Sequence, residues 1–143
     1  SGVGPPWSLR VGPGADATLS ADNDDPAAGK TAARVDISAV TAATRSVVLQ
    51  QGGIRLAAGA SYEIRASVRS AVPRDFRIQV ASTDSEAYVT RLVSAGPAWS
   101  VVTITFIAPV SDDDAILEFA LGRDETTTWI DEAYLGPAPD TIP

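Results

Sequence analysis

Hydrophobic and polar residues alternate along most of the chain, and this period of two is typical of β-strands with one buried face. Residues 61–70 are the clearest case, because Tyr62, Ile64, Ala66 and Val68 alternate with charged or small polar residues. The same alternation predicts further strands at 31–38, 47–49, 76–81, 100–107 and 115–121. Helical periodicity is hard to find, and the Ala/Thr-rich residues 39–46 are predicted as a loop or a short helical turn.

Glycine and proline residues separate these segments and indicate turns. Gln50-Gln51-Gly52-Gly53 follows the strand at 47–49 and predicts such a turn. Clean alternation indicates antiparallel sheets with one face in a core and the other facing solvent or a ligand. Six or more such strands favour a sandwich or a barrel. We therefore predict an all-β fold.

The length of 143 residues fits one domain. We predict that residues 1–6 form a disordered or tag-derived lead and that residues 7–136 form the β-sandwich. Residues 137–143 contain three prolines and predict the start of a linker, as expected of a module within a longer, multidomain protein.

Charge and composition remove several classes of function. The net charge of −7 disfavours nucleic acid and anionic membranes as partners, since both bind clustered Lys and Arg. The chain has neither Cys nor His, which excludes thiol chemistry, Ser-His-Asp catalysis and most zinc sites. Carboxylates, Tyr and one Lys remain for catalysis, whereas a neutral polyhydroxylated partner is compatible with this charge.

Four stretches of the chain resemble, in order and spacing, motifs of the carbohydrate-binding modules of families 4, 9 and 22. Val47 to Tyr62 resembles the strand and turn that lead to the family's Gly-x-x-Tyr motif. The others are Trp99 to Pro109, Phe119 to Gly122 and Trp129 to Leu135. The resemblance extends from about Trp7 to Leu135, which is most of the chain.

This resemblance implies a jelly-roll β-sandwich of two antiparallel sheets with a glycan-binding face. It implies a secreted, extracellular, non-catalytic module that binds a polysaccharide or oligosaccharide of the β-glucan or xylan type and targets a covalently linked glycoside hydrolase. A structural calcium is also implied, with Asp131 as a ligand together with a backbone carbonyl near Gly29. The family's opening strand is not evident before Trp7, so the calcium site and one sheet edge depart from the family pattern.

The candidate glycan contacts are amide, guanidinium, carboxylate and aromatic side chains, which suit sugar hydroxyls and ring faces. Alternation points Gln50, Arg77, Gln79 and Glu118 away from the core, where the alternative is an ordinary solvated surface. The resemblance places ligand contacts at Gln50, at Arg77 or Gln79, and at Tyr88. The full set of candidates is Gln50, Arg77, Gln79, Tyr88, Glu118 and Trp7.

Several aromatic and acidic residues have simpler interpretations. Tyr88 is either a sugar platform or a core aromatic at the start of a strand, and Trp7 is either a platform or a buried anchor. Trp99 and Trp129 are predicted to pack in the core or at its rim. The acidic stretches 22–26 and 112–114 are better explained by Asx turns than by metal loops.

Two other functions stay open at this stage. A glycosidase or lyase would need paired carboxylates, such as Glu118 and Asp131, roughly 5–10 Å apart across the scissile bond. A structural or adhesion domain of a secreted or cell-surface protein would need only the β-sandwich itself, since jelly rolls host many functions.

Overall fold

A computed structural model shows a chain built from ten β-strands. The structure describes residues 7–22, 32–39, 47–84, 86–122 and 126–137. The strands are β1 Trp7–Val11, β2 Asp16–Asp22, β3 Ala32–Ala39, β4 Val47–Leu56, β5 Ser61–Ser70, β6 Arg74–Ala81, β7 Ala87–Ala95, β8 Ser100–Ile107, β9 Asp112–Ala120 and β10 Thr127–Pro137. None of the described residues forms a helix of the length and apolarity needed to cross a membrane.

The strands form two five-stranded antiparallel sheets. Sheet A has the strand order β1-β4-β9-β6-β7, and sheet B has the order β2-β3-β10-β5-β8. The prediction of an all-β sandwich of two antiparallel sheets is confirmed. Each sheet joins strands that are distant in sequence, so the chain passes repeatedly from one sheet to the other.

The hydrophobic core lies between the two sheets and is filled by the alternate residues of each strand. Sheet A contributes Phe76 and Phe119, whose rings lie 6.4 Å apart, and sheet B contributes Tyr62 and Phe106, whose rings lie 5.7 Å apart. Each fully buried side chain of this kind contributes about 1.5–3 kcal/mol through removal of apolar surface from water. The alternation seen in the sequence therefore fixes which face of each strand points inward.

A buried arginine joins the two sheets at one end of the sandwich. Arg74, at the start of β6, is 6% exposed, and its guanidinium donates to the carbonyl oxygen of Leu121 at 2.9 Å and to Thr128 Oγ1 in β10 at 3.3 Å. A buried charge is tolerated only where hydrogen bonds replace its lost hydration. The arginine thus ties sheet A to sheet B through polar contacts that the alternation pattern does not reveal.

The predicted turn at residues 50–53 is wrong. β4 runs without interruption from Val47 to Leu56, and its pairing with β9 shifts register between Gln51 and Ile54. Gly53 has a φ of 72°, a conformation that glycine adopts without steric penalty. The two glycines therefore accommodate a β-bulge within one long strand, and they do not end it.

The other sequence predictions agree closely with the structure where it describes the chain. The strands at 61–70 and 100–107 match β5 and β8 residue for residue, and those at 31–38, 76–81 and 115–121 match β3, β6 and β9 within a few residues. Pro137 still belongs to β10, so the sandwich extends one residue into the predicted linker. Residues 1–6, 40–46 and 138–143 lie outside the described residues.

Candidate functional site

A row of polar side chains crosses the outer face of sheet A. Strand pairing places Gln50 of β4 opposite Glu118 of β9, Glu118 opposite Gln79 of β6, and Gln79 opposite Thr90 of β7. Neighbouring residues on these strands belong to the core, so the four side chains point away from it. At about 4.8 Å per strand, this polar row (Gln50, Glu118, Gln79 and Thr90) spans roughly 14 Å across the strands.

Hydrogen bonds connect three members of the polar row. The hydroxyl of Thr90 donates to Gln79 Oε1 at 3.1 Å, and Gln79 Nε2 donates to Glu118 Oε1 at 2.7 Å. Arg10 of the neighbouring edge strand β1 lies 3.5 Å from the other carboxylate oxygen of Glu118. Glu118 is only 2% exposed, so these donors hold a buried carboxylate in a fixed orientation.

Gln50, at the other end of the row, is different. Its Oε1 atom is buried and accepts no hydrogen bond within the described part of the chain. Leaving a buried acceptor without a donor costs about 1–3 kcal/mol, so such groups are rare in folded proteins. An acceptor of this kind beside a fixed polar row is suited to a hydroxyl donor supplied by a ligand.

A second row, one step along the same face, is mostly apolar. It places Val48 and Ala120 side by side, both almost fully buried, between Arg10 at one end and Arg77 and Leu92 at the other. Arg77 is exposed, and Leu92 is 60% exposed although it is a large hydrophobic residue. A ligand on this face can therefore contact the exposed Arg10, Arg77 and Leu92 beside the polar row, whereas Val48 and Ala120 are covered.

Tyr88 lies near the start of β7, where the pairing with β6 shifts register, and it packs partly against the core, as one of its two predictions had it. A hydrogen bond fixes its ring. The phenol donates to Asp112 Oδ2 at 2.7 Å, while Asp112 Oδ1 accepts the backbone N–H of Asp114 at 2.8 Å in an Asx turn. The bond from Asp114, followed by that from Tyr88, lowers the pKa of Asp112. The hydrogen bond to this carboxylate raises the pKa of Tyr88. The Asx-turn prediction for residues 112–114 is thus confirmed.

The outer face of sheet B carries a different arrangement, an aromatic–guanidinium ladder. Trp129 of β10 lies between Arg34 of β3, at 5.6 Å from its ring centre, and Arg69 of β5, at 3.9 Å. Arg69 also lies 5.4 Å from the ring of Trp99. Both tryptophans are half-buried and do not belong to the core cluster, so of the two predicted places, the core and its rim, the core is ruled out.

The structure separates the two carboxylates considered for catalysis. Asp131 pairs with Ser67 on the outer face of sheet B, whereas Glu118 lies on the outer face of sheet A. Two stacked sheets are about 10 Å apart before side chains extend outward from them. Glu118 and Asp131 therefore cannot flank one glycosidic bond, and this pairing for a glycosidase or lyase is excluded.

The calcium prediction concerns Asp131 and Gly29. Asp131 is 6% exposed and lies beside a bulge in β10, whereas Gly29 lies outside the described residues. No group of three or more acidic side chains comes together among the residues that the structure describes. A calcium ion at Asp131 would need most of its six to eight oxygen ligands from other groups, and the site stays a prediction.

Most of the predicted contacts share one surface, the outer face of sheet A. Gln50, Gln79 and Glu118 form the polar row, while Arg77 and Tyr88 lie on either side of it. The side chain of Trp7 lies outside what the structure describes, although its backbone pairs with Gln51. Sequence reasoning missed Arg10, Thr90 and the apolar pair Val48 and Ala120, because the pairing of distant strands places them there.

Comparison with known families agrees with this geometry. Residues 2–128 match the model of a family described as carbohydrate binding domain, which joins binding modules of families 4 and 9. The match covers most of the chain, so the chain belongs to this family, and its role is carbohydrate binding. No curated protein sequence matches the chain.

Solved structures of similar modules share the jelly-roll fold. A structure described as "CBM4 structure and function" superposes with a TM-score of 0.78 at 19% identity, over 92% of this chain and 86% of the other. The N-terminal cellulose-binding domain of Cellulomonas fimi β-1,4-glucanase C gives 0.70 at 18% identity, over 96% and 92%. The CBM22-1 xylan-binding domain of Paenibacillus barcinonensis Xyn10C gives 0.69 at 11% identity, over 99% and 91%.

Proposed function

We propose that the outer face of sheet A binds a single β-1,4-linked glucan or xylan chain, and that the module targets a covalently linked glycoside hydrolase to that polysaccharide. The observation that carries this proposal is the polar row with its unpaired Gln50 acceptor. The printed names of two structural neighbours, a cellulose-binding domain of a glucanase and a xylan-binding domain, support the same substrate class.

The polar row and the neighbouring row make different contacts with the glycan. Sugar hydroxyls donate to Gln50 Oε1 and exchange hydrogen bonds with the exposed atoms of Gln79 and Thr90, while C–H groups contact the exposed side chain of Leu92. Open faces of this kind give affinities in the range of about micromolar to millimolar. Weak binding suffices for targeting, because tethering raises the local concentration of the linked enzyme at its substrate.

The contacts of Glu118 favour a binding role over a catalytic one. Its two carboxylate oxygens face Gln79 Nε2 and Arg10, and a general acid or nucleophile would need a free oxygen directed at the substrate. Glu118 acts here as a fixed anchor that orients Gln79 and Arg10. We also propose that the protein acts outside the cell, because β-1,4-linked glucan and xylan are extracellular polymers.

Affinity electrophoresis against β-glucans, xylan and mannan tests the proposal. The native chain should be retarded by a β-glucan or by xylan, and Gln79→Ala should lose most of that retardation. Gln51→Ala is the matched control, because it removes the same amide from a position on β4 that pairs with core residue Leu117. Circular dichroism of each variant checks that the fold is retained.

Two outcomes would contradict the proposal. No retardation on any of these polysaccharides would favour a structural or adhesion domain. Equal loss of retardation in Gln79→Ala and Gln51→Ala would show that the polar row is not the binding surface. Turnover of a soluble glucan or xylan by the purified chain would contradict the non-catalytic role.

A further inference from the structure

A groove runs along the open side of the sandwich, between the edges of the two sheets. β7 ends sheet A and pairs only with β6, and β8 ends sheet B and pairs only with β5. The groove between these two edge strands has a volume of about 730 Å³. This falls within the usual size of small-molecule sites, roughly 300–1,000 Å³.

The groove has an apolar floor and polar walls. Val89 and Phe106, which are almost fully buried members of the core, form its floor. Arg91 forms part of the β7 wall, and Thr105 and Ile107 form the β8 wall. Edge strands also direct half of their backbone N–H and C=O groups away from their single neighbour, and these groups are available to a ligand.

Two residues belong both to this groove and to the face described above. Tyr88 and Thr90 line the groove, and Thr90 is also the last member of the polar row. A chain that lies along the polar row from Gln50 to Thr90 therefore reaches the edge of sheet A at the mouth of the groove. The polar row and the groove are therefore adjacent and share Thr90.

We propose that the glycan-binding site continues around the edge of sheet A into this groove between β7 and β8. The inference rests on the proposed function, since it extends the same glycan chain beyond the polar row. In this extension, Arg91 and Ile107 are the residues that contact the glycan. The guanidinium of Arg91 is exposed and forms no ion pair within the described residues, its one hydrogen bond being to the carbonyl of Thr90 at 3.0 Å.

Ile107 supplies the apolar part of the extended site. It is 65% exposed and lines the groove, so its apolar surface is available to a ligand there. A sugar ring seated between Ile107 and Arg91 would place C–H groups on the isoleucine and hydroxyl groups towards the guanidinium. The additional sugar units would then increase affinity only for chains long enough to pass the end of the polar row.

Isothermal titration with β-1,4-linked gluco- and xylo-oligosaccharides of two to six units tests this inference. The affinity of the native chain should keep rising with length beyond the units that cover the polar row. Arg91→Ala and Ile107→Ser should each weaken binding of the longest ligand by about three- to tenfold and leave the shortest binding ligand unchanged. Arg55→Ala is the matched control, since it removes an exposed guanidinium from β4, away from the groove.

The outcomes distinguish this inference from the proposed function. If the native chain binds none of these oligosaccharides, the proposed function fails and the extended site fails with it. If it binds them, but both groove variants give the native dependence on chain length, only the groove inference is overturned. Weaker binding of every length in Arg91→Ala would also overturn it, because Arg91 would then act on the polar row itself.

Discussion

The outer faces of the two sheets differ in the side chains that they carry. On sheet B, Trp129 is stacked by Arg34 and Arg69, and Arg34 is further paired with Asp36 at 3.0 Å. On sheet A, the row from Gln50 to Thr90 begins at a buried acceptor that has no donor within the described residues. The same fold thus has one face whose rings are covered by guanidinium groups, the closed face, and one polar face without such cover, the open face.

This difference shows that aromatic side chains alone do not locate the binding face. The two tryptophans of sheet B have guanidinium groups over their rings, which leaves less ring surface for a sugar. The face of sheet A has no tryptophan among its described side chains, yet it has the polar row with the unpaired Gln50 acceptor. We therefore expect glycan binding on sheet A and a mainly stabilising role for the aromatic–guanidinium ladder of sheet B.

The largest effect should come from the closed face. Trp129→Ala removes the ring that Arg34 and Arg69 stack on, together with its half-buried apolar area. We expect the free energy of unfolding to fall by about 2–3 kcal/mol, measured by chemical denaturation, with no change in glycan affinity. Val101→Ala, at an exposed position of the same face, should change stability by less than about 0.5 kcal/mol.

A loss of glycan affinity in folded Trp129→Ala, at a temperature well below its midpoint, would contradict the comparison. It would mean that sheet B binds sugar and that the ladder is part of a site. Retained affinity with reduced stability would confirm the separation of the two faces.

The second-largest effect is expected from a substitution on the open face. Gln50→Leu removes the unpaired acceptor at nearly constant volume, so the free energy of unfolding should stay equal or rise by about 1 kcal/mol. Glycan affinity should fall about tenfold, which corresponds to roughly 1.4 kcal/mol. Gln79→Leu is the comparison variant, because it also takes a donor from buried Glu118 and should lower both quantities. A stability loss in Gln50→Leu equal to that in Gln79→Leu would contradict this account.

The smallest effect concerns the hydrogen bond between Tyr88 and Asp112 at the edge of the open face. Asp112→Ala should lower the pKa of Tyr88 towards its ordinary value of 10.0, because the acceptor that holds the phenol proton is gone. NMR titration of the Tyr88 ring measures this shift. An unchanged Tyr88 pKa would contradict the proposed effect of Asp112 on the phenol.

The hydrogen bond between Tyr88 and Asp112 should form only over a limited range of pH. The pKa of Asp112 is lowered in the folded protein, so its contribution is present above the ordinary aspartate value and is lost as the pH falls through the lower folded value. The pKa of Tyr88 is raised, so its contribution is present below its ordinary value and is lost as the pH rises through the folded one. The ring of Tyr88 should therefore stay fixed between about pH 4 and pH 10.

Local pattern predicted the fold well and failed where backbone geometry overrode it. β5 and β8 were predicted to the residue, because their alternation is uninterrupted and each has one face in the core. β4 was misjudged at Gly52-Gly53, since two glycines indicate a turn equally well whether the chain reverses or bulges. β1, β2 and β7 were missed, since β1 has only five residues, β2 has mainly alanine at its apolar positions, and β7 has Arg91 between Val89 and Val93.

The site was predicted only in part, because alternation does not determine the register in which two strands pair. Alternation gives the face of a side chain, so Gln50, Gln79 and Glu118 were assigned outward correctly. It does not give the partner across a strand pair, so Arg10 and Thr90 could not be joined to them. Nor does alternation reveal that Glu118 is buried on an outer face, where Arg10 and Gln79 lie against its carboxylate.

The position of β10 has a consequence for how the protein is made. This last strand lies in the middle of sheet B, between β3 and β5. During synthesis from the amino terminus, the pairs β2–β3 and β5–β8 therefore stay separate, as two halves of sheet B, until residues 127–137 have left the ribosome. A chain that stops before these residues therefore loses the central strand of sheet B, and neither half of that sheet can join the other.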